Sequence, residues 1–222
     1  MKGLESLLKY LPYIFEGSLW SLGLVVAGLG IGFTIGILMS LGQIYGGSPI
    51  RKIIAAYTWF FRGTPLLVQL FLFHWSVFPF FGIETTPLET SILVLGMRSG
   101  AYQSQIFRGS IKSIEEGQML AAKALGMSTW QSAFYVILPQ ALRKAVPQLS
   151  NEYSIILKDS AICFILGVME IMTRTRYAAI ATGVAFIPYL VAGVLYIALT
   201  YLGSKIFDIS YSRIKMKGLI TG

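Results

Sequence analysis

Five apolar runs separated by short polar punctuation occupy most of the 222-residue chain. The first runs from about Ser18 to Leu41, the third from about Leu88 to Phe107 and the fifth from about Ile187 to Phe207. At about 1.5 Å of rise per residue, each is long enough as a helix to cross a hydrocarbon layer about 30 Å thick. The second, about Ile53 to Phe81, is too long for one perpendicular helix. It is predicted to begin as an interfacial stretch and to break near Gly63-Thr64-Pro65, where proline removes a donor and clashes with the preceding turn. The fourth, about Gln148 to Met172, carries Glu152, Lys158, Asp159 and Glu170. A segment so polar cannot face lipid and is predicted to lie at the centre of the bundle. Residues 173–186, with Arg174 and Arg176, read as a loop. Residues 1–17 place Leu4, Leu7, Leu8 and Leu11 on one face and read as an interfacial leader. Gly28 and Gly32 form a GxxxG pair suited to close helix packing. The fold class is therefore an all-α integral membrane protein of about five transmembrane helices, with residues 1–222 forming one domain.

One long stretch, residues 113–139, lacks membrane character. Ser113 followed by Glu116 reads as a capping box, and Gly126 is a natural stop, which predicts a helix over 114–125. Ser128 followed by Gln131 is a second capping box, opening a helix that Pro139 is expected to end or kink. Two short capped helices joined by Gly126-Met127 make a rigid knuckle of the kind another protein can grip.

Composition agrees with the pattern. The chain is 55% hydrophobic and only 13% charged, with mean hydropathy +0.68; a soluble domain carries about a quarter charged residues. The net charge of +8 does not mark a nucleic-acid binder, because the cations sit in short loops beside apolar runs. On one side of the membrane fall eleven of them: Arg51, Lys52, Arg108, Lys112, Lys123, Arg143, Lys144, Lys205, Arg213, Lys215 and Lys217. The other side holds four: Lys2, Lys9, Arg174 and Arg176. The richer side is expected to be cytoplasmic, which puts the N-terminus outside and both the C-terminus and the 113–139 knuckle inside.

The chemistry of an enzyme is missing. No GxxxxGK[ST] phosphate loop occurs. One histidine and one cysteine leave no metal-ligand cluster, and His74 has no orienting carboxylate nearby in the sequence. Cys163 reads as a small packing residue. The chain is expected to carry no cofactor, with any ATP and Mg on a separate partner.

Polar residues inside spans are the functional candidates. Arg98, near mid-span, would cost roughly 2.5–3.5 kcal/mol if it faced lipid alone. Asp159 is its expected acidic partner, with Glu152 on the same helical face. Arg98 is read slightly in favour of a structural ion pair over direct substrate contact; Asp159 is open between the two. Thr64 and Gln69 lie at the predicted break, where freed backbone groups can hold the two ends of a substrate. His74 has two readings, an interhelical hydrogen bonder or a pathway residue.

Several stretches in this order resemble one family. Phe61-Arg62-Gly63-Thr64-Pro65-Leu66-Leu67-Val68-Gln69, Ser99-Gly100-Ala101-Tyr102, Ile106-Phe107-Arg108-Gly109, Leu138-Pro139-Gln140-Ala141-Leu142-Arg143 and Asn151-Glu152 with Leu157-Lys158-Asp159-Ser160 are similar to the permease subunits of polar amino-acid ABC importers. Ala121, Ala122, Gly126 and Val136-Ile137-Leu138-Pro139 resemble the cytoplasmic coupling loop of those permeases. Two positions depart from the pattern: Leu120 stands where relatives usually carry Glu, and Gln105 where many carry Glu. The resemblance implies ATPase subunits docked on the loop, a second permease subunit (identical or not), an extracytoplasmic amino-acid-binding protein, and residence in a prokaryotic cytoplasmic membrane. It implies an ATPase-coupling set of Glu116, Met119, Leu120, Ala121, Ala122, Leu125 and Gly126. Leu120 leaves three alternatives: weaker coupling, transfer of the ionic role to Glu116, or pairing with a permease subunit that keeps the Glu. An apolar ATPase contact through Met119, Leu120 and Leu125 is the working hypothesis. The rival class is an ATP-independent channel or secondary-transporter subunit, against which stand the odd number of spans and the lack of an inverted repeat.

Overall fold

The first element, α1, runs from Lys2 to Tyr45 as one helix, so the predicted leader and the first span are continuous, with Pro12 inside. The computed structural model describes residues 2–214, with side chains from residue 9 onward. Lys215 and Lys217 of the tail, and the side chains of Leu4, Leu7 and Leu8, lie outside the described part. Among the described residues every regular element is helical.

The most extensive packing in the molecule is α1 against α5 (Pro87–Lys112). Small residues explain it. Gly28, Gly32 and Gly36 recur every four residues on α1 and meet Leu95, Ser99 and Gln103 of α5, while Gly96 and Gly100 of α5 meet Ile31 and Ile35. A β-carbon on Gly32 would lie 2.8 Å from Ser99 Cβ, and one on Gly96 would lie 2.6 Å from Ile31 Cγ2. The backbones meet too closely for side chains between them, the arrangement the GxxxG pair predicts. Helix α5 opens with Pro87 in its first turn and a full capping box between Thr86 and Glu89.

Between these helices the chain turns sharply. Helix α2 (Ser48–Gly63) and the segment Leu66–Phe80 meet at 111° across Thr64-Pro65, which places the break where the sequence predicts it. Leu66–Phe80 comprises α3 (Leu66–Leu72), a π-helical turn (Phe73–Val77) and α4 (Phe78–Phe80). A second π turn, Ala133–Ile137, joins α7 (Thr129–Ser132) to α8 (Leu138–Ser160). Each π turn is followed by one residue and then a proline, Pro79 or Pro139. Widening the turn gives the ring room while keeping the helix going. Pro139 therefore does not end its helix, which rules out one of the two outcomes expected of it.

The fourth run and the residues after it need two corrections. Helix α8 stops at Ser160, and residues Ala161–Leu166 form a 3₁₀ turn that ends at Gly167 with φ +85°. Residues 167–170 are non-helical, so the expected continuous span to Met172 is broken. Residues 173–186 are not a loop: Ile171–Thr182 is a helix, α9, capped by Gly183 with φ +68°. Its N-cap is Glu170, wholly buried, whose carboxylate accepts from the amides of Met172 and Thr173 (both 2.7 Å) and from the Tyr196 hydroxyl (2.9 Å). Arg174 is buried too. It donates to Met169 O and to Glu16 Oε2 and lies over the Tyr13 ring, pinning the start of α1 to α9. Polar side chains that read as loop are spent on these internal bonds. The last helix, α10 (Phe186–Ile214), packs on α8, where Tyr153 fills the space above Gly203.

The main core brings together Leu24 of α1, Leu66 and Leu70 of α3, Val94 and Leu95 of α5, Leu157 of α8 and Cys163. Cys163 is a buried free thiol serving as packing. By length and hydropathy α1 (from Lys9) and α10 qualify as membrane spans, with the bent 48–80 pair as a third.

Candidate functional site

The break at Thr64-Pro65 is closed by side chains. The Thr64 hydroxyl donates to Phe60 O at 2.8 Å. Gln69, fully buried, donates its amide to Phe61 O (2.9 Å) and to the Thr64 hydroxyl (2.6 Å). Arg98 comes from α5, on the far side of the break. Its Nη1 donates to Phe61 O at 3.0 Å and to Thr64 O at 3.2 Å, and its Nε donates to Asp159 Oδ2 of α8 at 3.0 Å. The expected Arg98–Asp159 pair is thus present, and it carries more than the two charges. It fastens α2, α5 and α8 at one point, supplying partners for carbonyls that the broken helix leaves free. Those carbonyls, read from the sequence as open to a substrate, are already occupied.

Just beyond the pair, on the side leading along α5 and α8 towards residues 113–139, lies a cleft of about 530 Å³. Arg62, Tyr102, Gln105, Gln148, Asn151 and Glu152 line it with Ile106, Pro147 and Ile155. Glu152 is 3% exposed, and its Oε1 accepts from Ser99 Oγ at 2.7 Å. The guanidinium groups of Arg62 and Arg98 both lie near the Tyr102 ring, at 5.2 and 5.4 Å from its centre. Thr64, Gln69, Arg98, Glu152 and Asp159 are therefore neighbours in one region. His74 is not among them. Its Nδ1 lies 2.8 Å from Thr90 Oγ1, which in turn meets Thr85 Oγ1 at 2.8 Å, and it lines a separate pocket with Gly82 and Glu84. That geometry is the interhelical hydrogen bond, one of its two sequence readings.

The 113–139 segment holds one short helix, α6 (Glu116–Ala124), and the start of a long one. Helix α7 continues through the π turn into α8, so the second of the two expected short helices is the head of a longer element. Ser128 and Gln131 form the predicted capping box. Ser113 and Glu116 do not: α5 continues through Lys112 and uses Ser113 as its C-cap, so α6 starts at Glu115 without a side-chain cap. Gly126 sits at φ +85°, a conformation that glycine supplies cheaply. Ala122 is buried and Met119 is half-buried against Leu41, Ile111 and Ile137. Glu116, Ala121, Leu120 and Leu125 face out; Leu120 is 66% and Leu125 84% exposed. Met119 therefore braces α6 from beneath, and the outward apolar surface belongs to the two leucines.

A family model described as "Binding-protein-dependent transport system inner membrane component" matches residues 32–216. The chain belongs to this family. Among curated relatives, a putative glutamine transport system permease of Rickettsia conorii is 35% identical, over 92% of this chain and 95% of its own length. The arginine transport system permease of Bacillus subtilis is 34% identical, over 88% and 91%. Among solved structures, the chain superposes with a TM-score of 0.84 and 31% identity on one titled as an amino acid ABC transporter with histidines, covering 94% of this chain and 97% of that one. An inward-facing methionine ABC transporter chain, 19% identical with a TM-score of 0.80, shares the fold. The protein is thus the membrane component of an ATP-driven importer, whose hydrolysis resides on separate subunits.

Some of this transport component's cleft was missed in the sequence. Arg62 and Tyr102 lay inside recognised motifs but had no assigned role, and Gln148 and Ser99 had none either. Their shared feature, a helical face turned to one space, is set by how α2, α5 and α8 cross and has no local signature. The faint signal was periodicity: Gln148, Asn151 and Ile155 follow helical spacing on α8.

Proposed function

We propose that this chain is the permease subunit of an ABC importer for a polar amino acid, lying in a prokaryotic cytoplasmic membrane with its N-terminus outside. Five spans cross the membrane, counting the bent 48–80 pair as one and the polar α5 and α8 as central helices. Two permease subunits line the pathway, and an extracytoplasmic binding protein delivers the cargo. An ATPase docks on α6 and α7, with ATP and Mg on that partner. ATP binding closes the ATPase pair, the loops move together, and the bundle alternates its access. Glu116, Leu120, Ala121 and Leu125 form the ATPase-facing surface, and Ala122, Met119 and Gly126 hold its shape. Thr64, Gln69, Arg98, Glu152 and Asp159 flank the pathway; His74 lies towards its outer end.

The observation carrying this reading is the polar cleft beside the Arg98–Asp159 pair inside an assembly of membrane-type helices. The cargo class leans on the glutamine and arginine permeases among the relatives. The test is co-purification with native associates, followed by uptake into proteoliposomes containing the ATPase and binding protein. ATP-dependent uptake of one polar amino acid is expected. Flux that needs no ATP, from a chain that purifies alone, would replace this reading with a channel or secondary transporter. On α6, Leu120→Asp should lower transport-coupled hydrolysis several-fold by placing a charge in an apolar contact; unchanged hydrolysis would remove Leu120 from the interface.

A further inference from the structure

We propose that the hollow between the C-terminal ends of α5 and α10 and the first half of α8 is a seat for a phosphate group, filled by the headgroup of an anionic lipid. It lies at the end of the bundle that carries residues 113–139, and Gln148 is the one residue it shares with the larger cleft beside Arg98.

The hollow holds about 270 Å³ and is lined by Gly109, Ser110 and Ser113 at the end of α5, Lys144 and Gln148 of α8, and Tyr211 of α10. Its walls offer donors and no carboxylate. Ser110 is 4% exposed, and its hydroxyl has no hydrogen-bond partner among the described residues. A buried hydroxyl in that state carries a desolvation cost that a ligand oxygen removes. Lys144 Nζ donates to Ser113 O at 2.9 Å, which fixes the ammonium beside the hollow with one of its three N–H groups. No carboxylate lies within ion-pair distance of it among the described residues. Gln148, exposed, and Tyr211, half-buried, add an amide and a phenolic hydroxyl. Donors brought by three helices suit the tetrahedral spread of phosphate oxygens better than a planar carboxylate, and lysine binds phosphate as a point charge. The volume falls just below the roughly 300 Å³ at which sites for drug-sized ligands begin, which favours a headgroup phosphate over a larger solute.

Depth in the membrane selects the source of that phosphate. Helix α10 qualifies as a span from Phe186 to Ile214, with Tyr211 in its last turn, and the residues beyond α5 lack membrane character. The hollow therefore sits at the boundary between hydrocarbon and water, the level of tyrosine belts and lipid headgroups. The same end of α10 exposes Leu202, Ile206 and Ile209, apolar surface along which acyl chains can run. Arg108, Lys112 and Arg213 are exposed at the same helix ends and raise the positive potential without lining the hollow. Asp208, one turn before Tyr211, lines a different hollow on α10.

The test titrates the purified permease–ATPase complex in detergent with lipids of matched chains and reads bound lipid by native mass spectrometry. The probes are phosphatidylglycerol, phosphatidylcholine (whose choline cancels the charge) and diacylglycerol, which has no phosphate. Phosphatidylglycerol should bind roughly tenfold or more tightly than either, the scale of one charge-assisted hydrogen bond. Lys144→Gln should remove most of that preference, and Ser110→Ala and Tyr211→Phe should each reduce it several-fold. Lys112→Gln, a cation outside the hollow, should leave it within about twofold. These preferences are ratios within one preparation, so a partly misfolded variant does not blur them. Equal losses from Lys112→Gln and Lys144→Gln would overturn the seat in favour of diffuse surface charge. Inorganic phosphate binding as tightly as phosphatidylglycerol in the same assay would overturn the lipid as its source. ATP-driven amino-acid uptake by a complex with no lipid preference would overturn the seat and leave the importer reading standing.

Discussion

Arg98 and Asp159 show how a single expensive residue organises its surroundings. Both side chains are partly buried, 15% and 19% exposed, so removing one partner strands the other in a poor dielectric. Arg98→Ala is expected to destabilise by about 2–3 kcal/mol, because it orphans Asp159 and withdraws a donor from Phe61 O and Thr64 O. The double replacement Arg98→Ala with Asp159→Ala should destabilise less than the sum of the two single changes, read from thermal unfolding in detergent. Strict additivity would mean that the two side chains do not act as a pair. This contact was legible from residue types alone, since an arginine in an apolar run demands an interior anion. What the residue types did not disclose was the second half of the contact, the carbonyls of the broken helix. Those depend on a 111° bend that no local pattern specifies. Arg62 was passed over for the opposite reason: an arginine at a helix end, beside a glycine, looks like an ordinary flanking cation until α5 is seen beside it.

Among the elements, α1 and α5 owe their contact to glycine placement, and two glycines on α1 make the point separable. Gly32 faces Ser99 and Gln103 with no room for a β-carbon, whereas Gly30, two residues earlier, has no atom within 4 Å of that position. Gly32→Ala should cost about 1–3 kcal/mol by forcing the helices apart. Gly30→Ala should be neutral or stabilise by about 0.5–1 kcal/mol through helix propensity. Unfolding midpoints of the two variants decide it; equal effects would mean that the close approach has been misplaced. The GxxxG pair and the Ser128–Gln131 capping box were readable because each needs only local spacing. Helix α9 was not. Its Thr173, Arg174 and Thr175 are polar, and polarity between apolar runs signals a loop. Here those side chains are buried against α1 and the Glu170 cap, so the polarity belongs to the interior. The Ser113 capping box failed by competition: α5 remains helical far enough to claim that serine as its own terminus.

For the whole molecule, orientation is the quantity that charge counting sets and that one cysteine makes easy to check. Cys163 is fully buried and should stay silent to a membrane-impermeant maleimide. In that background, Leu125→Cys on the α6–α7 loop should label only from the cytoplasmic side, and Ile180→Cys on α9 only from outside. The reverse pattern would invert the bundle and remove the ATPase from α6. The corner at Thr64 bears on how such a bundle moves. With Gln69 of the 66–80 segment and Arg98 of α5 both fastening the carbonyls of Phe61 and Thr64, α2 and the 66–80 segment form a welded elbow that has no play at its joint. A push on one arm must swing the other like a crank.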